Sequence, residues 1–123
     1  MNGKKKILLL TTGGTIASHN TERGLVPLLS AEDLMKYLPS ISRRCDLEAL
    51  NLFSLDSTNM TYREWLKLAA AIEENYGNYD GFVILHGTDT MAYTAAALSY
   101  LIQNSPKPIV LTGSQRPLEM EIT

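Results

Sequence analysis

A chain of 123 residues with 45% hydrophobic composition falls in the usual range for one domain and is long enough to build a packed core. Its formal charge of -2, with no basic cluster interleaved with aromatic residues, argues against a nucleic-acid partner. The lone Cys45 excludes an internal disulfide, and with His19 and His86 far from it no metal-ligand spacing arises, so neither a metal nor a cofactor is expected.

Lys4, Lys5 and Lys6 followed by Ile7 to Leu10 imitate the charged and apolar regions of a secretory signal. The apolar run breaks at Thr11, short of the roughly 7 to 15 residues that such a region needs, so a first strand is expected over Ile7 to Leu10. No stretch approaches the roughly 18 apolar residues of a membrane span. The expectation is a soluble, cytoplasmic protein in a reducing compartment, with no membrane partner. Thr11 to Thr15 (TTGGT) reads as a sharp turn whose paired glycines reach conformations other residues resist. Ser18 to Leu29, with Gly24 and Pro27, reads as a long polar loop and a candidate lid. Ser30, with Asp33 in the capping-box position, starts a short helix that turns Leu34 and Leu38 inward and ends at Pro39.

A second strand is expected over Leu47 to Leu55, with Glu48 and Asn51 marking a wetter side, and it runs out into Asp56, Ser57, Thr58 and Asn59. Thr61 with Glu64 makes a capping box for a helix reaching Tyr76, where Gly77 is a natural stop. Trp65, Ala69, Ile72 and Tyr76 form one apolar stripe along it, which is a core signal. Phe82 to Thr90 (FVILHGTDT) is the most informative stretch: a buried parallel strand, a glycine, then two threonines flanking Asp89 at a helix start. Thr88 or Thr90 capping that helix is the bland reading, and it explains one polar residue rather than three. The helix is expected from about Thr90 to Gln103, with Tyr93, Ala97, Tyr100 and Leu101 as its apolar face and Asn104 to Pro108 ending it. A fourth strand, Ile109 to Leu111, opens into Thr112, Gly113, Ser114 and Gln115.

The order βαβαβαβ implies an α/β fold: a parallel sheet with helices on both faces, here with strand order 2-1-3-4. In that order the chain leaves strands one and three in opposite directions, opening a crevice at their carboxyl ends. Thr15 and Thr88 would face each other across it, with Ser57 and Ser114 on its rims. A threonine nucleophile needs a base and oxyanion donors, and the backbone N–H groups of Gly14, Thr15 and Thr88 sit where they can point at negative charge. Asp89 would hold a substrate cation or orient a base, so acyl transfer on a small polar substrate is the natural class. A phosphate or dinucleotide site is the rival. TGGTIAS lacks the third glycine position, Asp56 lies beyond the ribose-binding distance, and no P-loop is present. A different class, a non-catalytic module binding a small amino acid, stays open.

TTGGTIAS at Thr11 to Ser18 and GFVILHGTDTMAYTAAAL at Gly81 to Leu98 closely resemble the two signatures of bacterial-type L-asparaginases. The likeness continues through DSTNM at Asp56 to Met60 and TGSQRP at Thr112 to Pro117, and the lack of a signal sequence makes it look like the cytoplasmic type I branch. The resemblance implies a three-layer, flavodoxin-like N-terminal domain, followed by a smaller C-terminal domain, and hydrolysis of L-asparagine to L-aspartate and ammonia. It implies Thr15 as nucleophile, Thr88 as second essential threonine, and Asp89 as the acid that grips the α-amino group and works beside a lysine. It implies Ser57 on the α-carboxylate, with Thr58, Ser114, Gln115 and Gly14 in the same pocket. His86 is read as a histidine that supports the site residues from behind, or as a satisfied buried one, rather than as a catalyst. Family sites are completed by a neighbouring subunit, so the parent is expected to be a homodimer or homotetramer.

The chain departs from the pattern at Leu25, where many members carry a lid tyrosine. The resemblance places the relay lysine and the C-terminal domain beyond Thr123, and Lys107 sits at the wrong end of strand four to replace that lysine. The 123 residues are therefore expected to be an incomplete N-terminal asparaginase domain, without its C-terminal domain and inactive alone. The related alternative is the asparaginase-like amidase domain of a tRNA-dependent amidotransferase.

Overall fold

In a computed structural model of the chain, the described residues are 3–13, 19–21, 24–26, 40, 43–55 and 60–113. A four-stranded parallel sheet is built from β1 (Lys5–Gly13), β4 (Cys45–Leu55), β5 (Gly81–Leu85) and β6 (Ile109–Thr112). They lie side by side as β4-β1-β5-β6, which is the expected order of second, first, third and fourth. A separate antiparallel pair joins β2 (His19–Thr21) to β3 (Gly24–Val26), and two helices, α1 (Tyr62–Asn75) and α2 (Met91–Leu101), precede and follow β5. Among the described residues no helix is long and apolar enough to cross a membrane.

The core lies between the sheet and these helices. Leu8 and Leu10 of β1 and Phe82 and Ile84 of β5 share one face of the pleat, and Leu68, Ala71 and Ile72 of α1 and Leu98 of α2 close over them. Burying each such Leu, Ile or Phe contributes about 1.5–3 kcal/mol. The other face is covered too, since Leu9 and Leu85 are buried. Right-handed crossovers give the layering its logic: β4 to β5 and β5 to β6 both step in one direction across the sheet, so α1 and α2 share a face, whereas β1 to β4 steps the opposite way. The helix expected over residues 30–39 on that return lies outside the described residues.

Four expectations are corrected. β1 runs through Gly13, so Thr11 and Thr12 belong to the strand and not to the turn; these β-branched residues suit a pleat, and both neighbouring strands bond their hydroxyls. The polar loop contains a hairpin, pairing His19 with Val26, Asn20 with Leu25 and Thr21 with Gly24. Its first strand, HNT, has no apolar alternation to announce it. On α1 the deepest line is Leu68, Ala71 and Ile72; Trp65, Ala69 and Tyr76 flank it half-buried, and a 3-10 turn carries the chain on past Gly77. The capping box itself forms, with Arg63 N donating to Thr61 Oγ1 at 3.3 Å and Thr61 N to Glu64 Oε2 at 3.3 Å.

The fourth correction is larger. α2 buries Thr94 and Leu98, while Tyr93 is 67% and Tyr100 78% exposed, with Leu101 exposed as well. Its sequence, MAYTAAALSYL, is apolar nearly all round. Hydrophobicity therefore cannot choose a face, and the polar contacts of Thr94 decide it. The helix ends at Leu101, where Ile102 turns extended while its N–H still reaches the Leu98 carbonyl, and Asn104 two residues on takes the left-handed conformation at φ 59°.

Candidate active site

The parallel sheet brings the carboxyl ends of all its strands to one rim. β1 and β5 are adjacent there, with the chain departing β1 toward β4 on one side and β5 toward β6 on the other, so the topological switch point falls between them. The stem of β1 is fixed to both neighbours just before it ends: Thr11 Oγ1 donates to Asn51 Oδ1 of β4 at 2.7 Å, and Thr12 Oγ1 donates to the Leu85 carbonyl of β5 at 2.7 Å. Beyond that point the register of β1 with β4 jumps from Thr11 opposite Asn51 to Gly13 opposite Leu55. Such irregularities re-aim the chain at functional ends of sheets.

The HGTDT segment leaves β5 against β6. His86 N donates to the Thr112 carbonyl at 2.9 Å, and Gly113 lies so close that a β-carbon there would stand 2.3 Å from the His86 carbonyl oxygen and 3.4 Å from Thr88 Cγ2. Only glycine fits, and the start of the TGSQ segment is thereby held beside Thr88. Gly87 is buried, Thr88 half-buried and Asp89 exposed at the rim. Thr90 occupies the N-cap of α2, and its carbonyl accepts from Tyr93 N at 3.0 Å and Thr94 N at 3.1 Å, but its hydroxyl makes no capping bond. The bland capping reading of Thr90 therefore fails.

Behind this turn lies a buried polar chain. His86 Nδ1 is 2.7 Å from the Gly87 carbonyl, Thr94 Oγ1 is 2.8 Å from His86 Nε2, and Trp65 Nε1 donates to Thr94 Oγ1 at 2.8 Å. Burial pushes the His86 imidazole below the usual histidine range, with the bond to the Gly87 carbonyl acting more weakly in the other direction. Both ring nitrogens are engaged and the residue is 1% exposed, so the ring does not face the crevice.

Of the residues expected in the site, Thr88 and Asp89 stand at the carboxyl rim, Thr88 next to Gly113. Gly14, Thr15, Ser57, Thr58, Ser114 and Gln115 lie outside the described residues. Sequence reasoning missed Thr11, Thr12, Thr94 and Trp65, which anchor the rim. A hydroxyl in the first turn of a largely apolar helix, a pattern that Ser99 repeats near its end, was the available signal for Thr94. Lys107, as expected, is at the opposite end, where its Nζ bonds the Tyr76 carbonyl and lies 4.6 Å from the Tyr76 ring centre. A groove of about 470 Å³ between the ends of α1 and α2, lined by Ile72, Tyr76 and Leu101, is also at that opposite end and takes no part in the rim.

Residues 6–122 match the family model "Asparaginase, N-terminal". The L-asparaginase of Thermococcus kodakarensis is 47% identical over 115 residues, covering 92% of this chain and 35% of that protein. Its solved structure superposes with a TM-score of 0.83 at 44% identity, over 94% of this chain and 36% of that one. The crystal structure of L-asparaginase I from Vibrio cholerae gives a TM-score of 0.85 at 38% identity, over 96% of this chain and 36% of that one. A glutamyl-tRNA(Gln) amidotransferase component from Metallosphaera sedula is 45% identical over 114 residues, covering 90% of this chain and 26% of that protein. The chain thus spans about a third or less of the length of these relatives.

Proposed function

The chain belongs to the asparaginase family, over its N-terminal domain, and from this premise we propose that the parent protein hydrolyses L-asparagine to L-aspartate and ammonia. One observation carries the reading: β1, which ends in Thr11–Gly13, and β5, which leads into HGTDT, are adjacent at the switch point of the sheet, with Thr12 bonded across to the residue before His86. In the proposed reaction Thr15 Oγ attacks the side-chain amide carbon while its proton passes to a base. The C–N bond then breaks as the leaving nitrogen takes a proton and departs as ammonia. Water attacks the resulting ester, releasing aspartate and restoring the threonine. Thr88 acts as the second essential threonine. Asp89, exposed at the rim, grips the α-ammonium group; Ser57 takes the α-carboxylate, and Gly14, Thr58, Ser114 and Gln115 complete the pocket.

In this proposal residues 1–123 are the front part of a two-domain protein whose later segment supplies a lysine partner for Asp89. The protein is placed in the cytoplasm. The parent assembles as a homodimer or homotetramer, a reading supported by the exposed Tyr93 and Tyr100 of α2, aromatic residues of the kind enriched at subunit interfaces. Ammonia release by the complete protein and by Thr15→Ala tests the central claim. Thr15→Ala is expected to lose at least about 1,000-fold in kcat, as removal of a nucleophile does, and near-normal turnover by that variant would remove Thr15 from its role.

A second reading is favoured by the 45% identity to an amidotransferase component: an amidase domain acting within a tRNA-dependent complex. Turnover of free asparagine without tRNA supports the first reading, and strict dependence on a charged tRNA supports the second.

A further inference from the structure

Helix α1, helix α2 and the residue that follows β5 are joined in one unbroken line of hydrogen bonds that ends on the backbone of the HGTDT turn. Its direction is fixed by elimination. The Gly87 carbonyl can only accept, so His86 Nδ1 carries the proton; in the neutral ring Nε2 is then an acceptor and takes the Thr94 hydroxyl proton; and Trp65 Nε1, a donor only, completes Thr94 Oγ1. His86 and Thr94 are 1% and 0% exposed, so bulk solvent does not compete for either. The peptide between Gly87 and Thr88 is trans, so a carbonyl drawn back to the imidazole sends the Thr88 N–H the opposite way, away from the packed interior.

We propose that His86 is a positioning residue: clamped through Thr94 to Trp65, it fixes the Gly87–Thr88 peptide plane and with it the presentation of Thr88 and Asp89 to the substrate. The catalytic half of this rests on the asparaginase reading above; the positioning half does not. Thr94 is the central element. It is the point where α2 locks to α1 and to the turn, and it explains why α2 turns a hydroxyl inward while leaving two tyrosines in solvent. Exchanging Thr94 for valine keeps the shape and removes both bonds.

The test uses the complete protein with 15N-labelled histidine and threonine. The His86 ring is expected to show the Nδ1–H tautomer, and the Nε2–H tautomer would overturn the assignment. Thr94→Val is expected to move the Thr88 amide resonance and to lower asparagine kcat/KM about tenfold, as small misplacements of reacting groups do, whereas Thr94→Ser restores both. A folded Thr94→Val protein with wild-type Thr88 resonance and wild-type kinetics would sink the proposal. A merely structural role would lower the melting temperature alone. If Thr94→Val does not fold, Trp65→Phe, which removes the outermost donor, is expected to shift the His86 ring resonances, and unchanged resonances there would count against the clamp. If the wild-type protein does not hydrolyse asparagine, the functional reading fails by itself and the resonances alone decide whether His86 sets the turn.

Discussion

The two ends of the sheet are fastened by different chemistry. At the amino rim the contacts are charged and wet: Lys6 Nζ lies 3.6 Å from Glu48 Oε1 and 5.2 Å from the Tyr79 ring centre, the Tyr79 hydroxyl bonds Glu48, and Lys6 N donates to Asp80 Oδ2 at 2.7 Å. At the carboxyl rim the bonds that run through Thr11, Thr12, His86, Thr94 and the bare backbone of Gly113 are uncharged and mostly buried, with Asn51 exposed at the edge. Water competes for every bond at the first rim and for few at the second. Side chains at the amino rim are therefore replaceable in a way that those at the carboxyl rim are not, since an unmet buried donor or acceptor costs about 1–3 kcal/mol whereas exposed ion pairs contribute little. Geometry is held firmly where the proposed chemistry occurs and loosely where it does not.

The most damaging single atom would be a methyl at Gly113. Gly113→Ala sets a β-carbon 2.3 Å from the His86 carbonyl, backbone against backbone, so β6 and the HGTDT turn must separate. A loss of about 3 kcal/mol is expected in chemical denaturation of the complete protein, at the upper end of overpacking effects. A loss too small to measure would mean the rim is softer than described.

Acid should reach the dry rim through His86. Its folded-state pKa lies below the ordinary value because burial disfavours the charged ring, so the unfolded chain binds the proton first. The contribution is complete above about pH 6.5 and falls as pH drops below that, by at most about 1.4 kcal/mol per pH unit. Denaturation midpoints between pH 7.5 and pH 5 measure this, and His86→Gln should flatten the wild-type slope; an equally steep slope in the variant would assign the titration elsewhere. The smallest effect belongs to the wet rim. The Tyr79 phenol is pushed up to about 12, chiefly by its bond to Glu48, yet both partners remain in contact with solvent. Glu48→Gln should change stability far less than Gly113→Ala, with the difference fading at high salt. A comparable loss would erase the contrast between the rims.

The same contrast explains what could be read in advance. Ile7 to Leu10, Phe82 to Leu85 and Ile109 to Leu111 announce themselves as apolar runs, and the spacing of helices between strands implies the parallel order, so the sheet was legible. HGTDT was legible as polar residues where packing needs none. The hairpin escaped notice because His19, Asn20 and Thr21 carry no alternating pattern, and the inward face of α2 because Ala and Tyr outnumber its single informative residue, Thr94. Trp65, Thr94 and His86 belong to three elements and share no local spacing. Their meeting depends on the angle at which α1 and α2 lie on the sheet, which no linear motif encodes. The roles proposed for Thr15, Ser57 and Ser114 rest on their motifs alone.

The central place of β1 also governs how the chain can fold. Ile7 lies between Leu47 and Gly81, so β1 is synthesised well before either of its partners. At about 5–20 residues per second, Ile7 to Leu10 spends seconds outside the ribosome with both edges, then one, unpaired. Contacts of such long sequence separation also slow the final search. Lys4, Lys5 and Lys6 stand directly before that apolar run, a block of like charge of the kind that opposes pairing between exposed strands.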